Sequence, residues 1–172
     1  REIKGVGESS ITKIEGKIER VWFEPSNPHP FPPSVQAILS ADLIIIGPGS
    51  LYTSVIPNLI VPGLADALRA TRALKFYICN IANQKGETLG YSWSDHIQAI
   101  EKHIDGLHFD VVICNHDPEI KMPKGIEEVK PDYLLEEQYS VYFASVADRE
   151  NPYRHDPQKL AQVITDLYHE QT

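Results

Sequence analysis

The sequence predicts an α/β domain with a mostly parallel sheet, helices on both faces and an antiparallel edge hairpin. Three short apolar runs, residues 42–46, 75–79 and 110–114, each stop at a polar loop. Runs that are apolar on both alternating faces are typical of parallel strands covered on both sides. The chain alternates such runs with loops and helical patterns, and this order predicts a parallel sheet because parallel strands need crossover connections.

The edge hairpin is expected near the start of the chain. Residues 11–14 and 17–23 alternate apolar and polar positions on either side of Glu15 and Gly16. That is the pattern of two antiparallel strands joined by a tight turn. Prolines crowd residues 25–33 and predict an extended connector after the hairpin.

The remaining elements follow from caps and helical periodicity. Pro57 and Pro62 bracket the start of one helical pattern and permit a kink there. In chain order we expect a helix over 35–40 capped by Ser34, a central strand over 42–46, a helix that begins near Leu51, a helix over 58–70, a strand over 75–79, a helix over 93–104 capped by Ser92 or Ser94, a strand over 110–114, a loop over 118–138, a strand over 139–144, and a terminal helix from Asp156 and Pro157 to about 168.

Size, charge and cysteine content limit the possible functions. The 172 residues suffice for one domain with a substantial core, so residues 1–172 are expected to form a single α/β domain. Sixteen basic and 24 acidic residues give a net charge of −8 without a basic cluster, which argues against a nucleic-acid surface. No apolar run approaches the ~20 residues of a spanning helix, so no membrane insertion is expected. Cys79 and Cys114 are predicted to be buried free thiols, as expected in the cytoplasm.

The turn after the first apolar run is the strongest candidate for a binding site. Glycines in such a turn can take positive φ and let a ligand approach the backbone, and Ser50 is a suitable N-cap. Several hydroxyls and the free N–H groups of the following helical turn are expected to converge where an anion binds well. The predicted ligand-binding residues here are Gly47, Gly49, Ser50, Leu51, Tyr52, Thr53 and Ser54. We predict a phosphate or nucleotide-sugar site, and the alternative is a tight turn with a capping serine.

A polar, neutral loop follows the second apolar run. Its side chains could fix a sugar or a nucleobase by hydrogen bonds, and the alternative is a loop that satisfies its own polar groups. The candidates are Asn80, Asn83, Gln84, Thr88 and Tyr91. Because the carboxyl ends of parallel strands lie at one edge of a sheet, this loop is expected to neighbour the glycine-containing turn.

Charged residues at other loop ends are candidates for phosphate or metal binding. Arg154 precedes the last helix and could close over a phosphate or diphosphate, unless it is merely solvated. Asp95 and Asp117 are candidate ligands for a divalent cation, although the helix dipole alone explains Asp95. His96 could be a base or a ligand, but no nucleophile has an evident partner. No transition-metal spacing is present, and the motif at 47–54 is neither a Walker A loop nor a GxGxxG turn.

Three segments carry a resemblance to a known family. They are ADLIIIGPGSLYTSVIPNLIVPGLADAL, CNIANQKGETLGYSWSDH and RHDPQKLA. The chain resembles the CofD-like superfamily, and most closely its gluconeogenesis factor (YvcK-type) branch. The resemblance runs from about Glu8 to the end and is weakest between Pro118 and Val146.

The resemblance implies a Rossmann-like fold and a ligand. Proteins of this branch are implied to bind UDP-sugars such as UDP-N-acetylglucosamine and to support cell shape and wall synthesis during gluconeogenic growth, without an established reaction. The alternative is an enzyme similar to 2-phospho-L-lactate transferase of coenzyme F420 biosynthesis, which would need a divalent metal such as Mg²⁺ at Asp95 or Asp117. The full GPGSLYTS segment favours the first branch. A module that only binds other proteins is a third possibility.

The resemblance also bears on the extent of the chain. The family has an amino-terminal glycine-rich turn that this sequence lacks, so we expect the chain to be the carboxyl-terminal part of a longer protein. A sheet edge left open in such a part could pair in a homodimer.

Overall fold

The computed structural model describes residues 4–11, 13, 16–132 and 136–172. Its described strands form an all-parallel, four-stranded sheet in the order β1-β2-β3-β4. The strands are β1 (Leu43–Ile46), β2 (Leu74–Ile78), β3 (Val111–Asn115) and β4 (Val141–Ala144). The predicted α/β class with its parallel sheet is confirmed.

Helices connect and flank these strands. They are α1 (Glu8–Ile11), α2 (Pro32–Ser40), a π-helical turn (Leu51–Val55), α3 (Ile56–Leu59), α4 (Pro62–Ala70), α5 (Trp93–Glu101) and α6 (Pro157–Gln171).

Each strand is added on the same side of the one before it, and this order decides where the helices pack. Parallel crossovers are right-handed, so successive connections fall on one face of such a sheet. Accordingly α4 and α5, from the β1–β2 and β2–β3 crossovers, pack in one core cluster with Tyr77 and Val112. Among the described helices only α6 contributes to the cluster on the other face, where it covers Phe76, Ile78 and Val111. Helices on both faces are confirmed.

Among the described strands, the first lies at the edge of the sheet rather than in its centre. β1 pairs with β2 alone among the described strands, and the Ile45 side chain is 46% exposed. Leu43 and Ile44 nevertheless pack against the clusters on opposite faces. The apolar pattern therefore predicts correctly that both faces of the strand are covered, but it does not indicate how many neighbouring strands pair with it.

The predicted edge hairpin does not form in the described residues. Ile11 ends the short helix α1, and residues 16–23 contain no strand. Thr12, Ile14 and Glu15 of the predicted hairpin lie outside the described residues. The backbone N–H of Val21 instead donates to Nε2 of His103, 3.0 Å away, so this segment is bound to the loop after α5 rather than to a sheet edge.

Side-chain caps mark the starts of two helices, α5 and α6. Ser92 caps α5 and α6 begins after Asp156, as predicted. Asp95 completes a reciprocal capping box with Ser92, which was not predicted, and Asp156 accepts two backbone N–H groups. Ser34 does not cap α2, whose N-cap is Phe31 without a side-chain bond. Prolines occupy the first turn of α2 because the N–H that proline lacks would be unpaired there.

The apolar stretch after β1 is broken into two helical segments. Leu51–Leu59 and Pro62–Ala70 meet at an angle of 72°, which confirms the predicted kink. No single helix among the described residues is long and apolar enough to cross a membrane. The bent pair together would be long and apolar enough, judged by length and composition alone.

Gly47, directly after β1, takes a conformation that other residues adopt rarely. Its φ is +82°, and a Cβ atom at this position would lie 2.8 Å from the carbonyl oxygen of Ile78. Gly49, the second glycine of the turn, shows no positive φ, and a Cβ there would make only ordinary contacts. The predicted need for glycine thus applies to Gly47 and not to Gly49.

We expect Gly47→Ala to destabilise the protein far more than Gly90→Ala. Gly90 has the same φ of +82° but open space around its Cβ position, so its substitution should cost only about 1 kcal/mol of backbone strain. Gly47→Ala adds an overlap with a backbone oxygen that cannot move freely and should cost roughly 2–4 kcal/mol. Urea unfolding of both variants measures the difference, and equal losses would contradict the close approach of β1 and β2 at this point.

Candidate functional site

A cleft of about 600 Å³ lies where the turn after β1, the loop after β2 and the segment before α6 meet. This is the carboxyl edge of the parallel sheet, where α/β proteins usually bind ligands. Its lining residues are Gly49, Ser50, Asn80, Ile81, Ala82, Gln84, Tyr153, Arg154 and His155. The structure thus brings together Gly49, Ser50, Asn80, Gln84 and Arg154 from the predicted set.

Asn80 fastens the turn after β1 to the loop after β2. Its Nδ2 donates to the carbonyl oxygen of Gly49 at 2.8 Å, and the Gly49 N–H donates to its Oδ1 at 3.3 Å. The side-chain amide therefore replaces a backbone partner just beyond the end of the paired strands. As a result, the Gly49 N–H already has an acceptor within the protein.

Ser50 and Gln84 make a second contact between the same two segments. Ser50 Oγ donates to Gln84 Oε1 at 2.6 Å, and both side chains line the cleft. Ser50 occupies the N-cap position of the π-helical turn but makes no side-chain cap bond. Its predicted capping role is therefore wrong, and its hydroxyl is directed at the neighbouring loop instead.

Glu87 makes the third contact and was not predicted from the sequence. Its side chain is only 3% exposed, and it accepts from the Tyr52 N–H at 3.0 Å and from Thr53 Oγ1 at 2.8 Å. These two donors were expected to face an anion, but they contact this carboxylate and do not line the cleft. Glu87 is the one acid in residues 80–91, which was the signal available in the sequence.

The other predicted residues of the turn lie in the core or at the surface. Leu51 and Tyr52 belong to the core cluster, and burial raises the pKa of the Tyr52 phenol well above its ordinary value. Ser54 is exposed, and its carbonyl oxygen accepts from Nδ2 of Asn58. Gly47 packs beside Ile78, away from the cleft lining.

Part of the polar loop satisfies its own hydrogen bonds, which was the alternative to a binding role. The Thr88 hydroxyl accepts from the Gln84 N–H at 2.9 Å. Tyr91 Oη lies 2.7 Å from Tyr52 Oη, and Asn83 donates to the Tyr91 carbonyl oxygen and to Glu127. Thr88, Tyr91 and Asn83 are not among the residues that line the cleft.

Arg154 supplies the positive charge of the cleft. Its guanidinium carbon lies 5.6 Å from the Tyr153 ring centroid, and no carboxylate of the described residues lies within 4.0 Å of its nitrogens. Backbone bonds of Arg154 to Asp148 and Asn151 fold the segment that holds it. No carboxylate occurs among the lining residues described above, although the protein carries a net charge of −8.

His155 adds an uncharged imidazole to the same wall. Burial lowers its pKa to about 4, although a hydrogen bond to the Cys79 backbone opposes this effect. The ring is therefore neutral at pH 7, and Nε2 is buried without a hydrogen-bond partner. Arg154 thus remains the charged group of the described lining at neutral pH.

The candidate metal ligands and the candidate base lie elsewhere. Asp95 is engaged in the capping box with Ser92, and Asp117 accepts from the Ser145 hydroxyl and the Glu119 N–H, which lowers its pKa. Neither carboxylate lines the cleft. His96 is fully buried, and its Nδ1 lies 2.9 Å from the Ser92 carbonyl oxygen. Within the described residues, no group of three or more His, Cys, Asp or Glu side chains is arranged to hold a metal ion.

The chain is similar to one protein family and to proteins from several bacteria. The family model described as 2-phospho-L-lactate transferase CofD matches residues 1–162. The gluconeogenesis factor of Bacillus subtilis (strain 168) is 38% identical over 173 residues, which cover 95% of this chain and 55% of that protein. The gluconeogenesis factor of Halalkalibacterium halodurans is 39% identical over 171 residues, covering 93% and 52%. The chain therefore spans about half the length of these relatives.

A solved structure shares the same fold. The crystal structure of a member of the UPF0052 family from Bacillus halodurans matches with a TM-score of 0.86 at 38% identity. The match covers 92% of this chain and 54% of that chain. The Rossmann-like α/β architecture and the resemblance carried by the three sequence segments are confirmed.

The depressed pKa of His155 predicts that acid destabilises the protein. The unfolded chain takes up a proton near pH 6.5 but the folded protein only near pH 4, so stability falls as the pH decreases through this window. His155→Asn keeps a donor for the Cys79 backbone and removes the titration. Between pH 7 and pH 5, we expect the free energy of unfolding of the wild type to fall by at most about 2 kcal/mol more than that of this variant. Urea unfolding at both pH values measures this, and equal losses would show that His155 is not buried in its neutral form.

Proposed function

The chain belongs to the CofD family, and we propose that its cleft binds a UDP-sugar such as UDP-N-acetylglucosamine in a cytoplasmic gluconeogenesis factor that regulates cell shape and wall synthesis. Relatives with the name gluconeogenesis factor, 38% and 39% identical across more than nine-tenths of the chain, support this role. Because the chain spans about half their length, the role of the whole protein is part of the proposal.

The observation that carries the proposal is the distribution of charge in the cleft. One cation, Arg154, lines the cleft together with the neutral polar side chains of Ser50, Asn80 and Gln84. A guanidinium binds phosphate oxygens through two parallel hydrogen bonds, which suits a diphosphate. Neutral amides and hydroxyls suit a sugar or a nucleobase. The volume of about 600 Å³ is in the range of small-molecule sites.

The enzyme alternative is a transfer reaction of the phospholactate type, and it is compatible with the family description, 2-phospho-L-lactate transferase CofD. Such a reaction would need a divalent metal close to the phosphates. The carboxylates of Asp95 and Asp117 are engaged in local caps outside the cleft, and no described lining residue is acidic. These residues do not fit a Mg²⁺ site in the cleft, which favours binding and regulation over transfer.

We expect calorimetric titration to show saturable binding of UDP-N-acetylglucosamine that depends on Arg154. Arg154→Ala should weaken binding at least tenfold, because charge-assisted hydrogen bonds contribute about 1.5–3 kcal/mol. Arg154→Lys, which retains the charge without the two-pronged geometry, should lose less. Ser50→Ala should also weaken binding. The matched control is Arg149→Ala, an exposed arginine of the same segment that does not line the cleft, and its affinity should stay within about twofold.

Other outcomes would separate the rival functions. Preference for GTP together with metal-dependent turnover would favour the transferase. If no nucleotide gives heat or raises the melting temperature, the protein-interaction module is favoured. If Arg154→Ala and Arg149→Ala lose affinity equally, Arg154 contributes only through the overall charge of the protein and not through a direct contact with the ligand.

A further inference from the structure

One loop holds the turn after β1 through three side chains in a row. The contacts run from Asn80 to Gly49, from Gln84 to Ser50, and from Glu87 to Tyr52 and Thr53. The first two pairs line the cleft, and the third lies behind them in the protein interior. The turn is therefore fastened at its outer and its inner end to the same loop.

Glu87 is unusual because it is an acid buried without a cation. No Lys, Arg or His nitrogen of the described residues lies within 4.0 Å of its carboxylate. A buried carboxylate is tolerated where hydrogen bonds replace its lost hydration. Both oxygens of Glu87 obtain such bonds from the π-helical turn, one from the Tyr52 N–H and one from Thr53 Oγ1.

We propose that Glu87 is a positioning residue for the ligand of this cleft. By fixing Tyr52 and Thr53, it sets the direction of Ser50, whose hydroxyl then reaches Gln84 at the cleft wall. The Glu87 carboxylate also accepts the hydrogen bonds of the Tyr52 N–H and the Thr53 hydroxyl, so these two donors are not available to an anion. The anionic part of a nucleoside diphosphate is therefore directed to Arg154 and the neutral part to Ser50 and Gln84. This inference rests on the proposed function and assigns the orientation of the ligand within it.

The test compares two acids: Glu87, which bonds this loop to the turn, and Glu127, which bonds the same loop from outside it. Glu87→Ala removes both contacts to the turn. Glu127→Ala is the matched control, because Glu127 accepts from Asn83 and the Gly90 N–H but does not touch the turn. Glu87→Gln is the conservative variant, since its amide can accept from the Tyr52 N–H and donate to the Thr53 hydroxyl. Thr53→Val removes one contact alone and remains informative if Glu87→Ala does not fold.

Two readouts separate positioning from general stability. In the ligand-free protein, hydrogen exchange over residues 50–53 should accelerate at least tenfold in Glu87→Ala and stay unchanged in Glu127→Ala. In titrations with UDP-N-acetylglucosamine, Glu87→Ala should bind about tenfold more weakly, and Glu87→Gln should recover to within about threefold of the wild type. Adding Thr53→Val to Glu87→Ala should cause no further loss of affinity.

The outcomes are distinguishable from a failure of the proposed function. If the wild type does not bind the UDP-sugar, the proposed function is refuted, while the exchange readout still decides whether Glu87 holds the turn. If Glu87→Ala and Thr53→Val bind like the wild type, or if Glu127→Ala weakens binding as strongly, Glu87 is only a structural residue and the positioning role is overturned.

Discussion

The parallel pairing of β1 with β2 is the constraint on which the site depends. In this register Ile46, the last residue of β1, pairs with Tyr77, one residue before the end of β2, so the two strands end within one residue of each other and their exit segments run side by side. The contacts of Asn80 with Gly49 continue this pairing beyond the last strand residues. Segments that lie 31 residues apart in the chain therefore become one wall of the cleft. A one-residue shift of the strands would separate them and would also exchange the faces of the buried residues.

Local chemistry and apolar periodicity explain what the sequence could predict. The three apolar runs located β1, β2 and β3, and the serine and aspartate at the helix starts located α5 and α6, because these signals depend on nearby residues. The strand predicted over 139–144 coincides with β4. The edge position of β1 could not be predicted, since two-sided burial depends on helices and not on strand neighbours. The absent hairpin at residues 16–23 shows the same weakness, because alternation does not specify a pairing partner.

The sequence predicts which segments form the candidate site better than it predicts which way their side chains point. Gly49, Ser50, Asn80, Gln84 and Arg154 line the cleft as a consequence of following strand ends or preceding a helix. Tyr52 and Thr53 lie in the same motif but turn towards Glu87, 35 and 34 residues later. Which side of a turn a hydroxyl faces is decided by such distant partners, and a single sequence does not reveal them.

The position of α6 gives the cleft an additional property. Asp156 caps this helix, and Arg154 lies two residues before Asp156. The charged wall of the cleft and the cover of the second sheet face are therefore one continuous piece of chain. Partial unfolding that releases both α6 and the segment before it, which holds Arg154, removes the guanidinium from the cleft. A ligand bound to Arg154 would oppose that opening, so occupancy of the site would be read out as protection of the carboxyl-terminal helix against proteolysis.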